Sequence, residues 1–361
     1  MKFDAQDIGI KPAGDALKQY IISSIKSGEL QPGMPLLSTR VLSKKFTISV
    51  NTAQRVLKEL SEDEYLIRQH GKQTIVADSK EVSEDVTVGA LFFGLGVNPF
   101  HAVMASAVSN YALTNGIRIV SGSGEYHNPI DETKNFLDKL KDNGIKYCIM
   151  TLQSTFRRQE IWDYIKKTGI KVVIMNDFWH NGGPFPSVRT NEEYGCQLMF
   201  EHLLDLGHKR ILLLDEHYCT PRYHALNAFK QILSEKSVEF NDDMMHFIEG
   251  PEGPYIWELS DKLVKNIINN FTAVYCTYDI YALRLMQRLR DAGVKVGKDI
   301  SVAGFDNITQ SENAELTTVA QPINELVKNS FKLLFSKDKE KKCICLSPEL
   351  IIRNSTGPCL K

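Results

Sequence analysis

One segment of the sequence separates apolar from hydrogen-bonding residues with the period of a helix. Its apolar side chains recur at positions i, i+3, i+4 and i+7, and they are Ala53, Val56, Leu57 and Leu60. The opposite face carries Asn51, Gln54, Arg55 and Lys58. Amide and guanidinium groups can hydrogen-bond to the edges of bases and to phosphates. The pattern therefore predicts a helix that packs against a core on one side and offers its other side to nucleic acid.

The residues around this helix predict the elements that position it. Ser38 and Ser49 stand where the N-caps of a second and a third helix belong, and Pro32-Gly33 breaks the chain after the first. Short strands are predicted at 65–68 and 74–76. They are joined by a turn with a cationic tip, which consists of His70, Gly71, Lys72 and Gln73. Short helices followed by a hairpin predict a winged helix-turn-helix, whose wing can touch a phosphate or enter a minor groove.

Residues 25–76 resemble the GntR-type winged-helix regulators. The residues in register are the segment SGELQPG and then Leu36, Ser38, Arg40, Leu42, Ser49, Thr52, Leu57, Leu60, Gly71, Thr74 and Val76. The resemblance implies that Arg40 and the third helix contact DNA. The residues expected at the DNA are Arg40, Ser49, Asn51, Thr52, Gln54, Arg55, Arg68, Gly71 and Lys72. Three positions depart from the family pattern, since Leu37 replaces a proline, Val50 a residue that is usually basic, and Gln73 the second glycine of the wing.

Length and charge fit a DNA-binding head on a larger body. A chain of 361 residues is long for one compact unit and suggests two or three domains. Residues 1–80 contain 12 Lys and Arg against 9 Asp and Glu, whereas the remainder contains 31 against 35. The head is therefore net positive and the body net negative. No apolar run approaches the roughly 20 residues of a membrane helix, and the N-terminus lacks a signal-peptide layout, so we expect a cytoplasmic protein.

The cysteines predict reduced thiols and no metal centre. There are seven of them, an odd number, and they are scattered along the chain. Cys148 and Cys276 lie inside apolar, strand-like runs, which is typical of buried thiols. Cys343 and Cys345 have the spacing of two positions on the same face of a strand. A metal site would need more ligands nearby, so we expect neither a metal nor a cofactor.

Beyond a polar segment at 77–86, short β-branched or aromatic runs alternate with amphipathic helical stretches. The runs lie at 88–93, 117–120, 147–152, 171–175, 210–214, 273–276 and 300–305. Such alternation predicts parallel sheets that are covered by helices on both faces. We therefore expect an α+β winged helix-turn-helix at 1–76, a linker at 77–86 and a two-lobed α/β domain at 87–361. In open α/β sheets ligands bind beyond the carboxyl ends of the strands.

Five segments of the second domain keep the order and spacing of a known family. They are NPFHAVMASAVSNYALTNGIRIV, EHLLDLGHKRI, AVYCTYDIYALRLMQRLRDAGVKVGKDISVAGFDN, LTTVAQP and PELIIRNST. Together they resemble the ligand-binding domain of LacI-type repressors and the periplasmic sugar-binding fold. A GntR-type head on a LacI-type body resembles the arabinose-utilisation repressors. This resemblance implies a sequence-specific transcriptional repressor that a pentose or 6-deoxyhexose, such as arabinose or fucose, releases from double-stranded operator DNA.

Candidate effector-binding residues follow from this resemblance and from sugar chemistry. Sugar sites use Asp, Asn, Gln and Arg side chains for hydroxyl groups and aromatic rings as walls. The positions that match the family pattern are Phe100, Arg222, Asp279 and Gln321. Asn176 stands where the family usually has aspartate at the end of a strand, and Asp306 ends the predicted strand at 300–305. Asp279 also stands at the N-cap of a predicted helix that ends at Asp291, so capping alone would explain it. Phe100 equally suits a core position, and Trp179 and Trp257 suit structural roles better than sugar platforms.

Other classes of function remain open at this point. The sequence Gly94-x-Gly96 after an apolar run is part of a dinucleotide fingerprint, but Pro99 replaces the third glycine. An enzyme would also leave the N-terminal head without a role, so we expect a protein that is not an enzyme. A regulator that senses a purine or an amino acid is the closer alternative, because this fold serves several effectors. One head covers only a few base pairs, and we therefore expect a homodimer on a pseudo-palindromic operator.

Overall fold

The computed structural model divides the chain into two compact units, residues 1–85 and residues 86–361. It describes residues 14–26, 28–62, 65–68, 73–77, 86–95, 99–124, 129–151, 158–176, 183–216, 223–248, 259–336 and 342–360. The boundary between the units lies in the segment that the sequence predicts as a linker, and most of that segment is outside the described residues. None of the described helices has the length and apolarity that crossing a membrane requires.

The first unit is a winged helix-turn-helix. Its elements are α1 (Asp15–Lys26), α2 (Thr39–Lys45), α3 (Val50–Glu62), β1 (Leu66–Ile67) and β2 (Ile75–Val76). The two strands pair antiparallel, with Leu66 opposite Val76. Ser38 is the N-cap of α2, because its side chain accepts a hydrogen bond from the Val41 amide. A single apolar core joins the three helices and the hairpin, and it includes Leu17, Ile21, Leu42, Leu57, Leu60, Leu66 and Val76. The predicted fold of this segment is confirmed.

The first lobe of the second unit is an all-parallel sheet with helices on both faces. Its strands are β3 (Thr87–Phe93), β4 (Arg118–Gly124), β5 (Tyr147–Met150), β6 (Lys171–Met175), β7 (Ser187–Thr190) and β13 (Cys343–Leu346), in the spatial order β13-β7-β6-β5-β3-β4. Alternate residues of β3 enter two separate cores, with Val88 and Phe92 in one and Leu91 and Phe93 in the other. This alternation confirms that both faces of the sheet are buried. The helices of this lobe are α4 (Pro99–Thr114), α5 (Pro129–Asp142), α6 (Arg158–Thr168) and α12 (Ile323–Phe335).

The second lobe repeats this plan with one antiparallel edge strand. Its strands are β8 (Ile211–Glu216), β9 (Met245–Ile248), β10 (Ala273–Cys276), β11 (Ser301–Asp306), β12 (Thr317–Ala320) and β14 (Glu349–Ile351). They lie in the order β14-β12-β11-β10-β8-β9, and β14 alone among them runs antiparallel to its neighbour. The helices are α7 (Glu192–Asp205), α8 (Tyr223–Glu235), α9 (Asp261–Asn270), α10 (Asp279–Asp291) and the short α11 (Thr309–Asn313). One large core, centred on residues such as Phe200, Phe229 and Tyr275, unites them.

The chain crosses between the lobes at three places. It passes from β7 to α7 through Asn191, from β12 back to α12 through Gln321 and Pro322, and from β13 to β14 through residues 347–348. Each crossing leaves the carboxyl end of a parallel strand. The carboxyl edges of both sheets therefore meet at the same junction, which is where ligands bind in folds of this kind.

Candidate functional site

Helix α3 has the two faces that the sequence predicts. Its buried residues are Ala53, Val56, Leu57 and Leu60, and these four form part of the core of the first unit. The exposed residues of the opposite face are Asn51, Gln54, Arg55 and Lys58. This arrangement leaves a polar surface of amide and cationic groups on a helix that is anchored along its whole length.

The start of α3 is fixed by Ser49. Its hydroxyl oxygen accepts a hydrogen bond from the Thr52 amide at 3.0 Å and lies 2.8 Å from the Thr52 hydroxyl. This is the bond of a helix N-cap, as the sequence predicts. The predicted DNA-contacting residues Ser49 and Thr52 thus first serve the local geometry of the helix, and both lie at its exposed end.

The cationic residues of α3 are held by glutamates one turn away. Arg55 pairs with Glu59 at 2.7 Å, and Lys58 lies 3.6 Å from Glu62. More than half of each cationic side chain is exposed. Solvent-exposed ion pairs of this type contribute little to stability. A phosphate can therefore replace either glutamate at small cost.

The other predicted DNA-contacting residues lie on α2 and the wing. Arg40 is exposed in the first turn of α2, and Arg68 is exposed after β1. Gly71 and Lys72 lie outside the described residues. Gln73, which departs from the family pattern, donates from Nε2 to the carbonyl oxygen of Leu36 at 3.0 Å. It thereby ties the base of the wing to the segment that leads into α2.

Sequence reasoning missed a third strand-like segment in this unit. Residues 33–36 bond to the outer side of β2, since the Leu36 amide donates to the Thr74 carbonyl and the Val76 amide donates to the Met34 carbonyl, each at 2.9 Å. Pro35 forms a bridge with Ile75. The Pro-Gly sequence predicts only a turn there, because it contains no alternating apolar pattern.

In the second unit, Gln321 links the two lobes at the crossings. Its Oε1 accepts a hydrogen bond from the Thr190 hydroxyl at 2.7 Å, and its Nε2 donates to Asp306 Oδ1 at 2.8 Å. Thr190 ends β7 of the first lobe, whereas Asp306 ends β11 of the second. All three side chains are buried. The structure thus brings together Asp306 and Gln321, two of the predicted effector residues, at the junction of the lobes.

Asn176 lies at the carboxyl end of β6, where the sequence predicts it. It is 2 % exposed and has a φ of 55°. Its Nδ2 has no hydrogen-bond partner among the residues that the structure describes. Thr151, which follows the adjoining strand β5, is also buried and its hydroxyl is equally unpaired. Unpaired buried polar atoms are rare and costly, so two of them at neighbouring strand ends make this a candidate place for a polar ligand.

Asp279 has a different environment from the one expected. Its side chain is completely buried, and it accepts hydrogen bonds from the Ile308 amide at 3.0 Å, the Ser311 hydroxyl at 2.5 Å and the Thr318 hydroxyl at 2.6 Å. A Cβ atom on Gly304 would collide with the carboxylate, so this glycine leaves room for it. Burial raises the pKa of Asp279, and the hydrogen bonds partly oppose that rise. In this structure the carboxylate serves the fold of the second lobe.

Two details of the sequence analysis need correction here. The N-cap of α10 is Tyr278, and Asp279 is the first residue inside the helix, because its carboxylate bonds to other elements instead of to its own first turn. The predicted end of that helix at Asp291 is confirmed. Phe100 is 2 % exposed and belongs to the core between β3, α4 and α12, which favours packing over contact with a ligand. Arg222, Trp179 and Trp257 lie outside the described residues.

Asp215, at the end of β8, is a further residue that sequence reasoning missed. It is buried, and its Oδ1 accepts a hydrogen bond from the Thr277 hydroxyl at 2.5 Å. Thr277 follows β10, the strand that pairs with β8. An acidic residue that ends an apolar strand was the available signal, since Asp306 was found in the same way.

The cysteines lie where the sequence predicts them. Cys148 and Cys276 are buried free thiols, and burial raises the pKa of both. Cys343 and Cys345 are exposed on β13. Within the part of the chain that the structure describes, no three His, Cys, Asp or Glu side chains cluster as metal ligands would.

Comparison with known proteins agrees with both halves of this architecture. Residues 13–76 match the gntR family of bacterial regulatory proteins, and residues 200–356 match the periplasmic binding protein-like domain. The chain therefore carries a GntR-type DNA-binding domain and a periplasmic-binding-protein-like domain, as transcription regulators similar to it do. This regulator is 28 % identical over 330 residues to the HTH-type transcriptional repressor PurR of Vibrio parahaemolyticus, covering 88 % of this chain and 93 % of the relative.

Solved structures resemble the second unit of the regulator. A LacI family transcriptional regulator from Enterococcus faecium with bound ribose is 25 % identical, with a TM-score of 0.62 over 76 % of this chain and 100 % of that one. The lac repressor dimer bound to operator and the anti-inducer ONPF is 20 % identical, with a TM-score of 0.63 over 76 % and 96 % of the two chains, and it shows likeness of fold alone. These relatives are transcription regulators and not enzymes. The regulator therefore combines DNA binding with a ligand-binding domain.

Proposed function

We propose that this regulator represses carbohydrate-utilisation genes and leaves its operator when a small sugar binds between the two lobes. The observation that carries the proposal is the pair of unpaired, buried polar atoms at the ends of β5 and β6, Thr151 Oγ1 and Asn176 Nδ2. A ligand rich in hydroxyl groups can both donate to and accept from such groups. The repressor role is supported by the relatives that carry that name.

The proposed effector site consists of residues from both lobes. Thr151 and Asn176 would contribute from the first lobe, and Asp306 and Gln321 from the second and from the crossing between them. Arg222 stays in the proposal by family position. Asp279 could reach a ligand only if one of its three donors were released, and Phe100 would support the site from the core. A pentose or 6-deoxyhexose such as arabinose or fucose follows from resemblance, and a ribose-bound neighbour supports a pentose.

A purine is the second candidate effector, since the relatives are named PurR. Amide and carboxylate groups can bind the edge of a base as well as sugar hydroxyls. A thermal-shift panel of pentoses, 6-deoxyhexoses, hexoses, nucleobases and amino acids separates the two candidates. We expect the melting temperature to rise with a pentose or 6-deoxyhexose. A rise with nucleobases alone would replace the sugar proposal, and no rise with any compound would contradict a ligand at the strand ends.

On the DNA side, we propose that α3 lies in a major groove, with Arg40 and the wing residues Arg68, Gly71 and Lys72 at the backbone. Two heads would come from a homodimer, because a pseudo-palindromic operator requires two-fold symmetry. The lac repressor dimer on its operator supports this arrangement. The helix would read bases mainly with its N-terminal half.

A matched pair of substitutions on α3 tests the placement of this helix. Arg55→Ala should weaken operator binding by about 1–3 kcal/mol and leave effector binding unchanged. Lys58→Ala is the comparison and should weaken operator binding less, because Lys58 is also a cation paired with a glutamate one turn on but lies farther from the start of the helix. A gel shift in which Arg55→Ala binds as the parent does would contradict the placement.

A further inference from the structure

Val50 is an apolar residue in a polar neighbourhood. It is the first residue of α3, and it is 41 % exposed. The other exposed residues in the first three turns of this helix are amides and cations, namely Asn51, Gln54, Arg55 and Lys58. An exposed β-branched side chain gains nothing from water and slightly disfavours the helix. Its position on the face proposed for DNA points to an apolar contact that forms only in the complex.

The geometry of the helix pairs Val50 with Gln54. Residues at i and i+4 lie on the same side of a helix, with their Cβ atoms roughly 5–6 Å apart. The cap bond between Ser49 and the Thr52 amide fixes the turn that carries Val50. A valine has a strongly restricted χ1 angle, so its two methyl groups are held in place. Val50 and Gln54 therefore form a preorganised surface one turn long.

The chemistry of this surface matches an A·T step. In the major groove a glutamine amide pairs with adenine N6 and N7, and an apolar side chain contacts the 5-methyl group of thymine. Successive base pairs are about 3.4 Å apart, so one helical turn spans one to two of them. We infer that Val50 contacts the methyl group of a thymine within two base pairs of the adenine that Gln54 reads. This inference rests on the proposed placement of α3 in the major groove.

The contact would make Val50 a specificity-determining residue of each head. A basic residue at this position, as in the family pattern, would add a charge contact and a salt-dependent gain in affinity. Valine adds neither, and it favours thymine over cytosine because only thymine presents the methyl group. Each half-site should then contain a thymine whose methyl group matters at this position.

Replacing thymine by deoxyuridine tests the contact, since it removes only the methyl group. The operator is first selected from randomised duplexes with the full-length protein, and each thymine is then replaced in turn. We expect one position in each half-site at which deoxyuridine weakens binding by about fourfold, the effect of one buried methyl group. Val50→Ala should bind the unmodified operator more weakly by a similar factor and should no longer distinguish thymine from deoxyuridine there.

Val41→Ala is the matched control. Val41 is a valine of the same unit with 46 % exposure, but it lies on α2. It should keep the parent's response to deoxyuridine at every position. The inference is overturned if no thymine methyl group affects the parent protein, a result that does not depend on any variant folding, or if Val50→Ala keeps the full response. If Gln54→Ala and Arg55→Ala also bind as the parent does, the placement of α3 itself fails.

Discussion

At the scale of single residues, two features of Asn176 reduce the folding stability of the protein. Its φ of 55° is a left-handed conformation, and its buried Nδ2 lacks a partner. An unpaired buried polar group costs roughly 1–3 kcal/mol, and such costs persist mainly at functional positions. The amide should therefore lower the stability of the free protein, and in the proposed site a ligand would supply the missing partner.

Asn176→Gly should separate these two effects. Glycine accepts a positive φ and removes the unpaired amide, so the free protein should melt at or above the parent temperature. The shift in melting temperature that the effector produces should be lost or strongly reduced, because about 1–3 kcal/mol of ligand binding is removed. Ser237→Gly is the control, since Ser237 has a φ of 54° but is exposed between α8 and β9. An unchanged ligand shift in Asn176→Gly would exclude Asn176 from the site.

Asp279 should behave in the opposite way. Asp279→Ala leaves the Ile308 amide and the Ser311 and Thr318 hydroxyls without their acceptor. We expect a loss of unfolding free energy on the order of 3 kcal/mol or more, since each unpaired donor costs roughly 1–3 kcal/mol. Urea denaturation measures it, with Ser311→Ala as a milder single-bond comparison. If Asp279→Ala had the stability of the parent but no longer responded to the effector, Asp279 would be a ligand-binding residue and not a structural one.

At the scale of elements, the C-terminal segment after β14 is fixed to the second lobe through two histidines. His208 lies between α7 and β8, and its Nε2 donates to the Gly357 carbonyl while its Nδ1 lies 3.0 Å from the Thr272 hydroxyl. His202 Nε2 lies 2.9 Å from the Thr356 hydroxyl. Burial lowers the pKa of both histidines below the ordinary value of 6.5. The folded lobe is therefore most stable when both histidines are neutral.

This preference for neutral histidines predicts a pH dependence of stability. Since the folded pKa is lower than the unfolded one, the stabilisation is complete above 6.5 and is lost as the pH falls below it. The slope should reach up to about 1.4 kcal/mol per pH unit for each histidine. Melting temperatures between about pH 5 and pH 8 should show a smaller acid loss for His208→Gln than for the exposed-site control Lys209→Gln. Parallel curves of melting temperature against pH for the parent and His208→Gln would contradict the predicted role of His208.

The sequence predicts strands where the apolar signal is local. The runs at 171–175 and 273–276 coincide with β6 and β10, and β3, β4, β5, β8 and β11 follow their predicted runs within a few residues. Strands β7, β9, β12 and β14 escaped prediction. In β12 the buried Thr317 and Thr318 depend on Arg353 and Asp279, which lie more than 30 residues away in the chain. Polar strand residues with such distant partners carry no local pattern.

The candidate site shows the same division between local and distant signals. Asn176 and Asp306 were predictable because each follows an apolar run, and Gln321 was predictable because it matches the family pattern. Thr151 and Asp215 were not singled out, although they also lie at strand ends. Thr151 is distinguished by a hydroxyl that has no hydrogen-bond partner among the described residues. The carboxylate of Asp279 is distinguished by three donors in α11 and its neighbours that already bond to it. Hydrogen-bond satisfaction is a property of the packed structure.

At the scale of the whole molecule, a ligand at the lobe junction can act on the rest of the second unit through the three crossings. The Thr190–Gln321–Asp306 hydrogen bonds lie at these crossings, so a change in lobe closure must rearrange or strain them. In the proposed homodimer, closure would alter the placement of two DNA-binding heads. Effector and operator binding should then oppose each other.

The most direct test is a reciprocal titration of the full-length protein. Operator affinity is measured by fluorescence anisotropy with and without the sugar that raises the melting temperature in the thermal-shift panel. Sugar affinity is then measured with and without operator. We predict that each ligand weakens the other by the same factor, corresponding to ~1–3 kcal/mol of coupling, and that Asn176→Gly keeps its operator affinity without sugar but loses the response. Equal operator affinity with and without saturating sugar would contradict the account.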